Sequence, residues 1–230
     1  MLSMLRESVY FGVFISLATY FIALRLKQKY KSGLLNPLLW SIVLTILLLL
    51  VFRIDYQTYY SGAKYLSYLL TPATICLAIP LYEQFEILKK NLAAVLIGIT
   101  SGVVTSLLCI LALSAVLKFT HEEYVTFLPK SITTAIGMGV SEELGGYVAV
   151  TVTVIIVTGV IGNVIGEMLL KLLRITEPVA KGIALGTASH AIGTAKAMEL
   201  GEVEGALSSL SIVIAGILTV IAAGVFAGLY

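Results

Sequence analysis

Apolar residues in this chain are gathered into long uncharged runs that short polar segments separate. A run of about 20 apolar residues forms a helix long enough to cross the hydrocarbon core of a bilayer. Six runs approach or exceed this length, so the pattern predicts six membrane-spanning helices. The runs are Ser8–Leu24, Ser32–Phe52, Tyr65–Tyr82, Asn91–Leu117, Leu144–Gly166 and Gly205–Tyr230.

Two polar inserts that carry glycine lie between the later runs and resemble each other. The first reads Thr-Thr-Ala-Ile-Gly over Thr133–Gly137, and Glu-Leu-Gly follows after an intervening segment, ending at Gly145. The second reads Ser-His-Ala-Ile-Gly over Ser189–Gly193, and Glu-Leu-Gly follows at the same distance, ending at Gly201. Each insert is too short and too polar for an ordinary spanning helix. We therefore predict two re-entrant or discontinuous helical inserts that form an internal repeat.

The distribution of lysine and arginine predicts the orientation of the chain. With six spans and two re-entrant inserts, nine basic residues fall on one face and five on the other. The face with nine is expected to be cytoplasmic, which puts both termini outside. The two inserts then enter from opposite faces and become an inverted repeat, as in secondary transporters. The predicted fold is an all-α membrane protein of the elevator type, a single transmembrane domain with scaffold-like helices over 1–128 and an inverted-repeat core over 129–230.

Two prolines, Pro72 and Pro80, lie in the third apolar run. A proline inside a helix removes one hydrogen bond and clashes with the preceding turn, so this span is predicted to be kinked or broken. The two prolines are therefore candidate structural hinges. Unwound backbone beside a substrate path and a simple packing kink are both open interpretations.

The composition supports a membrane protein and excludes several other classes. Hydrophobic residues make up 59% of the 230 residues and charged residues 12%, whereas soluble proteins carry about 25% charge. The net charge is only +2, and no stretch combines basic and aromatic residues. The sequence therefore gives no reason to expect nucleic acid binding. Both cysteines lie in apolar runs, so neither a disulfide nor a metal site is expected. The sequence contains a single aspartate and neither a phosphate-binding nor a dinucleotide-binding motif. We therefore expect neither enzymatic activity nor a bound cofactor.

The two inserts hold the candidate substrate-binding residues. A half-helix that begins inside an insert presents unpaired N–H groups and the positive end of its dipole to a cavity. Two such ends favour a small anion, above all a carboxylate. The candidates are Lys130, Ser131, Thr133, Thr134, Gly137, Ser189, His190, Gly193, Thr194 and Lys196.

Several of these polar residues have a second interpretation that involves no substrate. His190 lies in an apolar setting and is our candidate for proton coupling, although a histidine there can also serve packing alone. Lys196 either pairs with an anionic substrate or with Glu199 on the same helix face. Glu143 and Glu199 are interpreted as insert ends that meet water. Asn163 is expected to bridge two helices.

From Asn36 onward the chain resembles the LrgB/CidB family of antiholin-like membrane proteins. Two residues differ from the usual family pattern: Ala135 stands where proline is common, and Lys196 where arginine is common. The motifs that carry the resemblance are Asn36-Pro37-Leu38-Leu39, Pro72-Ala73-Thr74, Ala78-Ile79-Pro80-Leu81-Tyr82, Pro129-Lys130-Ser131-Ile132-Thr133-Thr134, Gly186-Thr187-Ala188-Ser189-His190-Ala191-Ile192-Gly193-Thr194-Ala195 and the later Glu202, Glu204-Gly205 and Ser208-Ser209.

The resemblance implies two different functions. Bacterial members are described as modulators of murein hydrolase activity and cell lysis that act with a smaller LrgA/CidA-type membrane partner. Plant relatives look like the plastidial glycolate/glycerate translocator, and some bacterial systems are linked to pyruvate uptake. Because the inserts favour a small anion, we expect a proton-coupled transporter of small monocarboxylates in the plasma membrane, as a homodimer. The alternative is an antiholin-like regulator of murein hydrolase export or activity.

Overall fold

Helices dominate the structure, and its described part contains no strand. In a computed structural model, residues 10–30, 36–76 and 78–230 are described. The chain divides into two compact units, Met1–Cys76 and Leu77–Tyr230, which we call the N-terminal and C-terminal units. The beginnings of the first two predicted spans lie outside the described residues. The predicted partition into 1–128 and 129–230 is a functional one and stays a prediction.

The described part of the N-terminal unit contains four helices, and α1 packs against α2 and α3. The side chain of Asn36 caps α2 by accepting hydrogen bonds from the N–H groups of Leu38 at 2.9 Å and Leu39 at 3.1 Å. Pro37 follows in the first turn, where a proline removes no intrahelical bond. The helices are α1 (Phe11–Tyr30), α2 (Pro37–Val51), α3 (Tyr56–Ser67) and α4 (Leu70–Cys76).

The third apolar run is interrupted close to its first proline. Helix α3 ends at Ser67, a turn follows, and α4 begins at Leu70 with Pro72 as its third residue. Proline in the first turn of a helix is tolerated, whereas the same residue inside a continuous helix is not. The run is therefore interrupted just before Pro72, while the role of this proline as a hinge stays a prediction. Leu77, which precedes the helix that contains Pro80, lies outside the described residues, so a break near Pro80 stays a prediction.

Among the described residues, three helices are long and apolar enough to cross a membrane, and all three lie in the C-terminal unit. These are α7, α10 and α12, which agree with three of the six predicted spans. The other three spans stay predictions. In chain order the helices are α5 (Ala78–Glu83), α6 (Phe85–Lys90), α7 (Leu92–Leu117), α8 (His121–Phe127), α9 (Thr134–Glu143), α10 (Val148–Leu172), α11 (Pro178–Leu200) and α12 (Glu202–Ala227).

Two tyrosines, the buried Tyr124 and the exposed Tyr230, show which helix ends lie together in the C-terminal unit. The Tyr124 hydroxyl donates to the carbonyl oxygen of Phe226 at 2.9 Å. The Tyr230 hydroxyl contacts the carbonyl oxygens of Ser114 at 3.0 Å and Phe119 at 2.9 Å. The ends of α7 and α12 therefore lie beside α8. We call this side of the unit the α8 end, and the other side the opposite end.

Candidate functional site

The first polar insert forms a helical hairpin made of α8 and α9, which we call hairpin 1. The hydroxyl of Thr126 in α8 accepts the N–H of Tyr147 at 2.8 Å, and Thr151 donates to the Thr126 carbonyl at 3.0 Å. The chain thus returns to α8 where α10 begins, so hairpin 1 enters and leaves at the α8 end. Thr133 is the N-cap residue of α9, but its hydroxyl makes no capping hydrogen bond.

The second polar insert is α11, whose backbone leaves helical geometry at Ser189 and His190. His190 has a φ of 41° and a ψ of −139°, so the helix divides into a first half over 178–188 and a second half over 191–200. A Cβ atom added at Gly193 would lie 2.6 Å from Ser189 Cβ and 2.5 Å from the Leu185 carbonyl oxygen. In a straight helix, residues 185 and 193 would lie about 12 Å apart along the axis. The two halves therefore fold back on each other, and we call α11 hairpin 2.

The two hairpins enter the C-terminal unit from opposite ends. Hairpin 2 pairs with the end of α10, since Lys196 Nζ lies 2.7 Å from Glu167 Oε2. It also pairs with the beginning of α12, since Lys181 Nζ lies 3.7 Å from Glu204 Oε1. Hairpin 1 contacts the beginning of α10 instead. This is the arrangement that an inverted repeat requires, although the repeat itself stays a prediction.

The tips of both hairpins meet α10 at one residue, Ile155. A Cβ atom added at Gly137 of hairpin 1 would overlap the Ile155 side chain. On hairpin 2, His190 Nε2 lies 3.0 Å from the Ile155 carbonyl oxygen. The imidazole has room only because residue 159 is glycine, where an added Cβ would lie 2.7 Å from His190 Cε1. The break in α11 is thus positioned by close packing on α10.

Hydrogen bonds from neighbouring helices satisfy the polar groups at this break. Asn163 Nδ2 donates to the carbonyl oxygen of Ile192 at 2.6 Å, which confirms the expected bridge between helices. The Thr194 hydroxyl donates to the His190 carbonyl at 3.1 Å and lies 2.7 Å from Ser208 Oγ of α12. Such bonds matter here because an unsatisfied buried polar group costs about 1–3 kcal/mol.

A cavity of about 870 Å³ lies between α7, the first half of hairpin 2 and the turn of hairpin 1. Helix α7 packs beside hairpin 2 through glycines: a Cβ added at Gly98 would lie 3.4 Å from Ile183 Cγ2, and one added at Gly102 would lie 2.8 Å from Thr187 Cγ2. Small residues at four-residue spacing allow such close approach in membranes. The polar residues that line the cavity are Asn91, Thr105, Ser106, Lys130, Ser131, Glu177 and Thr187.

The basic and hydroxyl groups of this cavity suit a small anion. Lys130 Nζ donates to Ser131 Oγ at 2.9 Å, and no ion pair of Lys130 occurs within the described ranges. The hydroxyl of Thr187 is buried and has no hydrogen-bond partner in the described part of the chain. The one lining carboxylate, Glu177, precedes Thr187 by ten residues, about 15 Å along a helix. The ammonium group of Lys130 therefore lies beside the hydroxyl of Ser131, which is 3.3 Å from that of Ser106, in the cavity that Thr187 also lines.

The predicted site residues fall into three groups. Lys130 and Ser131 line the cavity, with Thr133 and Thr134 half-buried at the start of α9. Lys196 lies 3.2 Å from Glu199 and 2.7 Å from Glu167, so it pairs along its own helix face and with α10. The remaining predicted residues are buried in the packing of the hairpins: Gly137, Ser189, His190, Gly193 and Thr194.

Sequence reasoning missed part of the cavity lining. Thr105 and Ser106 were not among the candidates, although polar residues on the Gly98–Gly102 face of an apolar run are a usable signal. Thr187 is a polar residue of the second insert that was left out of the substrate-binding set. Glu143 and Glu199 are exposed, as expected for insert ends. Both cysteines are free, and the described residues contain no group of three His, Cys, Asp or Glu side chains that could hold a metal ion.

Known proteins are similar in sequence to this chain over almost its whole length. The LrgB-like family matches residues 16–229. Over 207 residues the chain is 37% identical to Holin-like protein CidB of Staphylococcus aureus strain N315, covering 90% of each chain. It is 35% identical, with the same coverage, to Holin-like protein CidB of Staphylococcus epidermidis strain ATCC 12228. No solved structure matches.

Proposed function

The chain belongs to the LrgB-like family, and on that premise we propose that it is a holin-like membrane protein that regulates murein hydrolase activity and cell lysis. The observation that supports this proposal is that the chain is 37% identical, over 90% of its length, to a protein named holin-like. This likeness favours the lysis-related function over the transport function that the inserts alone suggest. A smaller LrgA/CidA-type membrane protein is the proposed partner.

Expression in a bacterial host that lacks its own LrgB-type genes tests this function. The measurements are murein hydrolase activity in the culture supernatant and the rate of lysis after growth stops, each with and without a CidA-type partner. We expect both to change relative to the empty vector, and the partner to alter the size of the change. Unchanged hydrolase activity and lysis in both arms would contradict the proposal.

We further propose a second activity, the transport of small monocarboxylates, because of the cavity that Lys130 lines. Its ammonium group has no ion pair within the described ranges and lies beside hydroxyl groups, which is the chemistry that a carboxylate requires. Two hairpins that enter from opposite ends and meet near one residue also suit alternating access to a central site. His190 stays our candidate for proton coupling, since its ring lies at that meeting point.

Reconstituted protein distinguishes the two activities. We expect saturable uptake of glycolate, glycerate or pyruvate into proteoliposomes, stimulated by an inward proton gradient. Lys130→Gln is expected to reduce the uptake at least tenfold, whereas Lys90→Gln, an exposed control on α6, leaves it unchanged. Absence of saturable uptake, with and without the partner, excludes transport. Normal lysis in a Lys130→Gln strain that has lost uptake would show that the two activities are separate.

A further inference from the structure

A second cavity, of about 500 Å³, lies at the opposite end of the C-terminal unit and shares no lining residue with the cavity described above. It is lined by the end of α10, the following turn and both ends of hairpin 2. Three of its side chains are basic: Lys171, Arg174 and Lys181. Neither the proposed lysis function nor the transport function uses these residues.

The basic side chains of this cavity are only partly neutralised. Its one carboxylate, Glu167, is shared, with Oε1 lying 2.7 Å from Lys171 Nζ and Oε2 the same distance from Lys196 Nζ. Lys181 has a looser contact with Glu204, at 3.7 Å. Arg174 is exposed and takes part in none of the ion pairs within the described ranges. With the pair of Lys196 and Glu199 included, four cations face three carboxylates, so the charge of Arg174 is left over for a bound anion to neutralise.

The position of this cavity identifies the kind of anion. Helix α10 has 25 residues and is about 37 Å long, more than the hydrocarbon core of about 30 Å, so its last turn lies at the level of lipid headgroups. Apolar side chains next to the basic ones are uncovered: Met168 is 61% exposed, Leu172 73% and Leu173 67%. Basic groups beside exposed apolar side chains match a molecule with a phosphate and acyl chains.

We propose that this cavity binds the phosphate headgroup of an anionic phospholipid. The guanidinium of Arg174 binds the phosphate, Lys171 and Lys181 supply further positive charge, and the acyl chains lie along Met168 and Leu172. A zwitterionic headgroup is disfavoured because its ammonium group would meet these cations. Since Lys181 belongs to the first turn of hairpin 2, the bound lipid also stabilises that hairpin at the membrane surface.

Thermal unfolding of the full chain in detergent tests this site. Phosphatidylglycerol is expected to raise the midpoint by about 2–4 °C more than phosphatidylcholine at equal concentration. Arg174→Gln is expected to remove at least half of this difference, while Lys90→Gln retains it. Glycerol phosphate without acyl chains is expected to give no shift. An equal shift from glycerol phosphate would indicate a free-anion site and overturn the proposal, as would equal shifts from the two lipids.

Native mass spectrometry gives a second measurement that does not depend on unfolding. The wild-type chain is expected to retain a phosphatidylglycerol adduct at a collision energy that removes phosphatidylcholine. Arg174→Gln is expected to lose that adduct and Lys90→Gln to keep it. Equal retention of the adduct in all three proteins would contradict the proposed site.

Discussion

His190 Nε2 lies 3.0 Å from the carbonyl oxygen of Ile155, and this contact connects the break in hairpin 2 to the spanning helix α10. A carbonyl oxygen only accepts hydrogen bonds, so Nε2 carries the proton and acts as the donor. The side chain of the same Ile155 fills the space left by Gly137 of hairpin 1. Ile155 of α10 thus contacts both inserts, so both are positioned against the same residue of a spanning helix.

Glycine at position 159 is required for the His190 contact. We expect Gly159→Ala to destabilise the protein by about 1–3 kcal/mol, because the added Cβ would lie 2.7 Å from the imidazole. The measurement is thermal unfolding of the purified protein in detergent. Gly224→Ala in α12 is the matched control, since its Cβ would meet nothing within 4 Å. Equal effects of the two variants would show that His190 does not pack on Gly159.

Thr151 is expected to stabilise hairpin 1 through its buried hydroxyl. This hydroxyl makes a 2.7 Å contact with Ser141 Oγ of α9 and a 3.0 Å contact with the Thr126 carbonyl of α8. Thr151→Val keeps the shape but leaves these groups unpaired, so we expect a loss of about 1–3 kcal/mol in the free energy of unfolding. Thr153→Val is the control, because Thr153 is exposed and bonds only its own helix. A loss below about 0.5 kcal/mol for Thr151→Val would contradict the network.

The ion pair between Lys196 and Glu167 is expected to hold the second half of hairpin 2 against α10. The Lys196 side chain is 16% exposed and that of Glu167 33%, and their charged atoms lie 2.7 Å apart. A double-mutant cycle with Lys196→Met and Glu167→Gln, read by thermal unfolding, should give a coupling energy of about 1–2 kcal/mol. The same cycle on the exposed pair of Lys89 and Glu86, at 3.5 Å, should give less than about 0.5 kcal/mol. Indistinguishable coupling in the two cycles would exclude a structural role for Lys196.

The positions of the inserts could be predicted because polar residues and glycine interrupt apolar runs in a repeated order. Asn163 was also predictable, since an amide within an apolar span needs a partner helix, and it bonds Ile192. Helix spacing alone cannot show which face of α7 contacts hairpin 2. The cavity residue Ser106 was therefore missed, because it becomes a neighbour of Ser131 only after the helices pack.

The partner of Lys196 could be predicted only in part, for a related reason. Glu199 lies three residues away on the same helix face and was recognised from the spacing. Glu167 lies 29 residues earlier on another helix, and nothing in the local pattern relates the two. The fold-back of α11 at His190 brings Lys196 to the end of α10, so the pair depends on the reversal rather than on the sequence spacing.

Replacement of Thr187 distinguishes a role in substrate binding from a role in protein stability at the proposed carboxylate site. Its hydroxyl is buried without a hydrogen-bond partner in the described part of the chain, so Thr187→Val removes an unsatisfied group. We expect the free energy of unfolding of this variant to stay equal or to rise by up to about 1 kcal/mol. If the hydroxyl binds the carboxylate, uptake into proteoliposomes should fall severalfold in the same variant. Thr105→Val is an informative companion, because Thr105 lines the same cavity but is exposed. A Thr187→Val protein that is less stable, or that transports normally, would show that this hydroxyl serves packing and not the anion.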